Sequence, residues 1–238
     1  MTAGRPFIVA IDGPSGAGKS SAARLLAAQL GFAMVDTGAI YRTVALAARR
    51  AGIGYAADDA LEALLPGLRI RFAPPVRPGE AQRVLLGEED VSAEIRTPPL
   101  SLGASAVSAR PVVRAGLLEL QRRLALSPLN RGAVLEGRDI GTVVFPDADA
   151  KFFLTAAPEV RARRRHAELV ARGEPAAYEE VLAEQEKRDR DDSHRALAPL
   201  RPAEDAVRLD TSDLPLPAVV ERLAEEVVAR LAARGGDG

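Results

Sequence analysis

The 238-residue sequence contains no cysteine, which excludes disulfide bridges and thiolate chemistry. Its only histidines are His166 and His194, too few to predict a histidine-based metal site. Basic and acidic residues nearly balance, at 32 and 33, so no global positive field would draw nucleic acid or a membrane surface to the chain. There is no apolar run of about 18 residues, the length of a membrane helix, and no signal-peptide pattern. We therefore expect a globular, cytoplasmic protein without nucleic-acid or membrane partners.

One glycine-rich stretch dominates what is present. It fits the phosphate-binding loop pattern G-x-x-x-x-G-K-[ST] and consists of Gly13, Pro14, Ser15, Gly16, Ala17, Gly18, Lys19 and Ser20. The apolar run 7–11 predicts a buried strand before this loop, and residues 21–30 predict a helix after it, a context that an ordinary glycine-rich turn lacks. We expect Lys19 to reach the β- and γ-phosphates of a nucleotide and the Ser20 hydroxyl to hold Mg²⁺.

The predicted elements along the chain indicate the fold class. Strands at 7–11, 33–36, 133–135, 150–154 and 206–209 are separated by helices, which predicts an α/β protein with a five-stranded parallel sheet covered on both faces. The segment 68–100 has a different texture. Short strands at 68–72, 83–86 and 91–95 follow one another directly and predict a small antiparallel insert. A final helix at 216–233 is predicted to end at Gly235, with a disordered tail behind it.

Polar residues follow several of the predicted parallel strands. Ligands bind such sheets at the carboxyl ends of the strands, so Arg42, Glu136 and Arg138 are expected to converge on the rim that holds the polyphosphate. Glu136 follows a buried strand and is the candidate second ligand of Mg²⁺. The guanidinium groups predict a second, anionic substrate that carries phosphate. The sequence at 210–212 is open to two interpretations, a helix cap or part of this rim.

Two arginine-rich segments, at 161–172 and 178–190, are predicted to form helices joined at Gly173. They could close over the phosphates as a mobile lid and exclude water. The alternative is a solvated face crossed by salt bridges, which is the usual role of alternating charges on a helix.

Taken together, the motifs resemble those of the bacterial cytidylate kinase family, in order from residue 8 to about residue 231. The resemblance rests on Gly13 to Lys19, the block 36–42 (DTGAIYR), the block 94–97 (EIRT), the block 136–148 (EGRDIGTVVFPDA), and the arginine- and aspartate-rich segment 188–200. The insert 68–100 also matches, since the family carries a small antiparallel sheet there.

The resemblance implies phosphoryl transfer from ATP to CMP or dCMP, with Mg²⁺ as the cofactor, in a P-loop NTPase-type fold. It implies that Arg42, Arg138 and Arg188 hold the CMP phosphate and, with Lys19, are catalytic. The remaining implied contacts are cytosine to Ser105, Arg114 and Asp139, ribose to Asp192, the acceptor nucleoside to Thr37, and ATP to Ser21, Arg164, Thr211 and Ser212.

The resemblance further implies three regions in what we expect to be a monomer. They are a core (1–36, 133–157 and 197–238), a CMP-binding domain (37–132) with the insert, and a lid (158–196). Two alternatives stay open at this point. One is a kinase for a different nucleoside monophosphate, and the other is a regulatory NTPase, which would consume ATP without CMP.

Overall fold

The computed structural model describes residues 5–77, 80–174 and 176–236. These residues form two compact units, one made of the chain up to Met34 and from Ala125 onward, the other of Val35–Leu124. Along the chain the strands are β1 (Phe7–Asp12), β2 (Ala33–Asp36), β3 (Ile70–Ala73), β4 (Arg83–Leu86), β5 (Glu89–Asp90), β6 (Gly132–Gly137), β7 (Ala150–Thr155) and β8 (Val207–Asp210). The helices are α1 (Lys19–Leu30), α2 (Thr37–Arg50), α3 (Asp58–Leu64), α4 (Pro98–Ser108), α5 (Pro111–Ala125), α6 (Pro158–Ala171), α7 (Tyr178–His194) and α8 (Leu216–Gly236).

The predicted five-stranded parallel sheet is confirmed, with the strand order β2-β6-β1-β7-β8. Its centre is β1, in which every residue is buried. Val9 and Ile11 point to the face on which α1 and α8 pack, while Ile8 and Ala10 are fully buried on the other face. Because both faces of this strand are covered, its sequence is continuously apolar rather than alternating.

The register of the sheet brings polar residues to one edge. Asp12 at the end of β1 pairs with Gly137 at the end of β6, and Thr155 at the end of β7 pairs with Asp210 at the end of β8. The phosphate-binding loop leaves β1 at this same edge, which is where ligands of open parallel sheets bind.

The second unit carries the predicted antiparallel insert as a separate sheet of order β3-β4-β5. Arg50 on α2 ties this sheet to the helical part of the unit. Its guanidinium donates to both carboxylate oxygens of Glu89, at 2.6 and 2.7 Å, and to Glu94 at 2.6 Å. Because β3, β4 and β5 form a sheet of their own, the prediction that the insert is separate from the parallel sheet is confirmed.

The prediction of a strand at 91–95 was wrong. The third strand of the insert is Glu89–Asp90, because Gly87 adopts a φ of +63° and reverses the chain within two residues of β4. The apolar residues Val91 and Ile95 lie on a helical turn instead, since the Ile95 amide donates to the Val91 carbonyl at 3.0 Å. A spacing of four residues fits a helical turn as well as it fits a strand.

Two further segments differ from the sequence prediction. A π-helical turn at Ile140–Val144, which the sequence did not predict, follows β6. The last helix continues through Gly235 to Gly236, and the rest of the predicted tail lies outside the described residues. Among the residues that the structure describes, no helix combines the length and the apolar character needed to cross a membrane.

Candidate active site

The phosphate-binding loop is built on glycines that no other residue could replace without distortion. Gly13 adopts a φ of +146°, and a Cβ there would collide with the backbone oxygen of Leu154. Gly16 adopts a φ of +78°, and a Cβ there would lie 2.9 Å from the Cβ of Arg161. The loop leads directly into α1, which begins at Lys19, so its N–H groups and the helix N-terminus lie at one place.

Lys19 is buried, with an exposed fraction of 5%, and its Nζ donates to the Pro14 carbonyl at 2.7 Å. Burial, together with the positive charges of Arg138 and Arg188, lowers the pKa of this ammonium to about 7, against the opposing effect of Glu136 and Asp12. The lysine thus lies among other cations, an arrangement that a polyphosphate would stabilise.

The two predicted Mg²⁺ ligands are in direct contact. Ser20 lies in the first turn of α1, and its Oγ donates to Glu136 Oε1 on β6 at 2.6 Å. Ser21, the next residue, is exposed. Among the described residues, no cluster of three or more histidine, aspartate or glutamate side chains could hold a metal ion. One hydroxyl and one carboxylate are a set that suits Mg²⁺, which usually takes its remaining ligands from substrate phosphates and water.

Arg138 and Asp192 form the next part of the site. Arg138 Nε donates to Asp192 Oδ2 at 2.9 Å, and Arg195 lies 3.7 Å from the other carboxylate oxygen. Burial acts to raise the pKa of Asp192, but the positive charges of Arg138, Arg188 and Arg195 outweigh it and hold the pKa below its usual value. The predicted phosphate-binding arginines Arg138 and Arg188 and the predicted ribose contact Asp192 are therefore neighbours.

Asp139, the predicted reader of cytosine, is buried with an exposed fraction of 4% and directly follows Arg138. Asp12, which the sequence analysis missed, lies close by and accepts hydrogen bonds from the backbone amides of Ile140 and Gly141, both at 2.8 Å. Burial raises the pKa of Asp12 to about 6, against the lowering effect of these two hydrogen bonds. The sequence did contain a signal for Asp12, because it is an acidic residue at the end of a buried strand, the same feature that singled out Glu136.

The sequence also failed to single out the pairing of Arg161 with Asp189. The side chain of Arg161 contacts the chain on both sides of its own helix. Its guanidinium donates to Ser15 O in the phosphate loop at 3.1 Å and to Ala156 O at 2.8 Å, and it lies 2.6 Å from the Asp189 carboxylate on α7. Arg161 therefore joins the phosphate-binding loop to both arginine-rich helices.

The predicted ATP-contacting residues Arg164 and Thr211 are brought together. Arg164 donates to the Thr211 side chain at 3.1 Å and to its carbonyl at 2.6 Å. Thr211 Oγ1 lies 3.2 Å from the Ala17 carbonyl of the phosphate loop. Ser212 instead donates to Asp210 and accepts from the Ala157 amide at 2.9 Å, next to the start of α6. Residues 210–212 thus connect the last strand to the phosphate loop and to α6.

In the second unit, Arg42 and Thr37 lie at the start of α2. Asp36 caps this helix by accepting from the Ala39 amide at 2.7 Å, and its other oxygen accepts from Arg42 Nη2 at 3.0 Å. Arg42 Nε is buried without a hydrogen-bond partner among the described residues. An unsatisfied buried guanidinium nitrogen is destabilising, and an anionic ligand would satisfy it.

The predicted cytosine contacts Ser105 and Arg114 also belong to the second unit. Ser105 is half-buried in α4, and Arg114 on α5 donates to the Ser108 carbonyl at 3.2 Å. The guanidinium of Arg114 lies 5.8 Å from the centre of the Tyr41 ring, within the range of a cation–π contact. Arg114 is thus held by contacts within its own unit.

The sequence model of a family described as cytidylate kinase matches residues 9–229. The chain is 55% identical over 225 residues to a cytidylate kinase of Geobacter sp. (strain M21), with 94% of each chain covered. It is 53% identical to the cytidylate kinase of Citrifermentans bemidjiense, again over 94% of each chain. It is 51% identical to that of Geobacter sulfurreducens, over 98% of this chain and 97% of the relative.

Proposed function

This chain belongs to the cytidylate kinase family, and from that premise we propose how its residues divide the work of phosphoryl transfer. It is a nucleoside monophosphate kinase that transfers a phosphoryl group from ATP to CMP and produces CDP and ADP. dCMP is proposed as a second acceptor. The observation that carries the assignment of roles is the contact of the loop hydroxyl of Ser20 with Glu136, beside the buried Lys19.

We propose that the phosphate-binding loop from Gly13 to Ser21 binds the ATP phosphates, with Lys19 on the transferred group. In the structure Lys19 Nζ donates to the Pro14 carbonyl, a contact that an incoming phosphate oxygen can replace. Arg164 and Thr211 are assigned to the ATP side of the site because Thr211 contacts the loop at Ala17, and Ser212 is assigned with them as the next residue.

Ser20 and Glu136 are the residues that would hold Mg²⁺, since they present hard oxygen ligands 2.6 Å apart. When bound, the ion would neutralise charge on the β- and γ-phosphates. The Ser20 hydroxyl and the Glu136 carboxylate would be its protein ligands.

For the acceptor, we propose that Arg42, Arg138 and Arg188 bind the CMP phosphate. This is supported by the unsatisfied Nε of Arg42 and by the position of Arg138 and Arg188 close enough to depress the pKa of Lys19. The nucleoside contacts are proposed to be Thr37 and Asp192, with Asp192 on the ribose, and Ser105, Arg114 and Asp139 on the base.

No strong base is needed in this reaction, because the attacking oxygen of CMP already carries negative charge. Positioning and charge neutralisation dominate phosphoryl transfer, and Lys19, Arg42, Arg138 and Arg188 supply four positive charges for it. We also propose that residues 158–196 act as a lid, that the core and CMP-binding regions have the predicted bounds, and that the protein is a cytoplasmic monomer.

The test is a screen of phosphoryl acceptors. ADP release would be measured with ATP and Mg²⁺ in the presence of CMP, dCMP, UMP, AMP or GMP, and without any acceptor. We expect release with CMP and dCMP far above the others. ATP consumption that does not depend on CMP would contradict the proposal, and a higher rate with a different monophosphate would reassign the acceptor.

A further inference from the structure

One buried carboxylate beside the site has no role in the reaction described above. Asp12 is the last residue of β1, has an exposed fraction of 4%, and immediately precedes the phosphate-binding loop. Its Oδ1 accepts the Ile140 amide and its Oδ2 accepts the Gly141 amide, each at 2.8 Å. Both carboxylate oxygens of Asp12 thus accept hydrogen bonds from two successive backbone amides, which lie 128 and 129 residues away in the sequence.

These two amides open the π-helical turn at Ile140–Val144, directly after Arg138 and Asp139. The segment has an irregular backbone here, since Asp139 itself has φ −149° and ψ 24° and no side-chain cap. A regular strand or helix would fix the direction of Arg138 and Asp139 by its own ladder of hydrogen bonds. At this turn, the Asp12 carboxylate supplies a corresponding constraint from a neighbouring strand.

The surroundings of Asp12 indicate that its carboxylate is retained against a stability penalty. Burial raises its pKa to about 6, and the negative charge of Asp139 adds to this effect, while Lys19 lowers it. Lys151 packs against the same turn, since its Cδ would lie 3.2 Å from a Cβ at Gly141. Its ammonium, however, is bonded to Pro146 O and to Asp205 rather than to Asp12. Buried charges with a penalty of this kind occur most often at functional sites.

We propose that Asp12 is a positioning residue, which holds the segment carrying Arg138 and Asp139 in the orientation that the CMP phosphate and base require. It would act through the two backbone amides and not by touching either substrate. The proposal rests on the proposed function, since it assumes that Arg138 and Asp139 bind CMP.

Simple electrostatics makes the opposite prediction for the removal of this charge. Both ATP and CMP are anions, so the loss of a negative charge beside the site should tighten the binding of both. A purely structural role predicts a third pattern, a loss of stability with parallel losses for all substrates. Only a positioning role predicts weaker use of CMP together with unimpaired binding of ATP.

The experiment compares the wild-type chain with Asp12→Asn and Asp12→Ala. In Asp12→Asn one oxygen can still accept an amide, but the new amino group faces the other N–H, so the side chain keeps its volume and loses one bond. Asp149→Asn is the matched control. Asp149 Oδ2 also accepts a backbone amide of β1, that of Ile8 at 2.7 Å, but it lies at the opposite end of the strand.

We would measure kcat and KM for CMP and UMP, the Kd for ATP by calorimetry, and folding by circular dichroism. For Asp12→Asn we expect kcat/KM with CMP to fall about tenfold or more and the CMP:UMP ratio to fall with it, as misplaced contacts predict. The Kd for ATP should be unchanged or lower. Asp149→Asn should stay within about twofold of wild type in every measurement.

The proposal would be overturned if Asp12→Asn kept its kcat/KM with CMP, if the CMP:UMP ratio did not change, or if ATP binding weakened as much as CMP use. It would also be overturned if Asp12→Asn failed to give the wild-type circular dichroism spectrum, since the role would then be structural. A wild-type chain that transfers no phosphoryl group to CMP would refute the proposed function, and the role of Asp12 with it, before any variant is compared.

Discussion

The choice of base provides the sharpest test of the acceptor site. Cytosine presents an amino donor at the position where uracil presents an oxygen, and a carboxylate accepts a hydrogen bond from the first but not from the second. Asp139 has an exposed fraction of only 4%, so with uracil its carboxylate would lose the hydrogen bond that cytosine offers, and water could not replace that bond. Arg114 would complement it by donating to the acceptor atoms of cytosine.

The size of the effect follows from this burial. Sites that leave a buried polar group unpaired with the wrong substrate discriminate by about 10⁴-fold. Asp139→Ala should therefore lower kcat/KM for CMP much more than for UMP and should remove most of this preference. Asp139→Asn should shift the ratio further toward UMP, because its amino group can donate to the uracil oxygen.

The assay measures kcat/KM for CMP and UMP in wild type and in both variants. The control is Asp147→Ala, which removes the same charge from the same stretch of chain at a side chain that is 71% exposed. An unchanged CMP:UMP ratio in Asp139→Ala would refute the argument, whatever the total activity. Equal losses with both substrates would assign Asp139 a structural role beside Arg138.

Three other predictions follow from the site. Lys19→Ala should fold and lose about 10²–10³ in kcat, the scale for one preorganised charge contact, and near wild-type turnover would exclude its assignment to the transferred group. Replacing Arg42 or Arg138 by Ala should lower kcat/KM for CMP much more than it lowers the affinity for ATP measured by calorimetry. Lys at either position should restore little activity, because an ammonium lacks the bidentate fork of a guanidinium. An equal loss of ATP affinity would place these arginines on the donor side. The raised pKa of Asp12, about 6 against an ordinary 3.8, favours its protonated form in the folded state, so its contribution to stability is lost as the pH rises through 6. Denaturant unfolding should therefore show wild type gaining about 1.4 kcal/mol over Asp12→Asn from pH 8 to pH 5, and a difference independent of pH would contradict the raised pKa.

The parts of the site that the sequence predicted are those encoded by neighbouring residues. The strand, the glycine-rich loop and α1 follow one another within 7–30, so spacing alone locates Lys19 and Ser20. Glu136 was predicted because acidic residues at the ends of buried strands meet at one edge of a parallel sheet, and its contact with Ser20 confirms that these two predicted side chains lie together.

The parts that the sequence did not predict depend on partners far away in the chain. Asp12 satisfies the same rule as Glu136, but its partners are two backbone amides, which leave no mark in the sequence. Nothing in the sequence distinguishes Arg161 from the other arginines of its helix, because its partners Ser15 and Asp189 lie far away in the chain. In the insert, Val91 and Ile95 have a spacing that suits a strand or a helical turn, and the turn at Gly87 decided between them.

The cations of this site bond to the protein itself in ways that a polyphosphate can replace. Lys19 donates to Pro14 O, although burial and the positive charges of Arg138 and Arg188 lower its pKa to about 7. Mutual repulsion among these groups destabilises the site without substrate, and the arrival of phosphate removes that repulsion and adds charge-assisted hydrogen bonds. Arg161 and Arg138 each have a carboxylate partner, Asp189 and Asp192. Arg161 differs in that it also donates to the backbone carbonyls of Ser15 and Ala156. We infer that the arginines of this unit have two different roles. Arg138 and Arg188 bind the phosphate of the substrate, whereas Arg161 holds the loop to which the ATP phosphates bind.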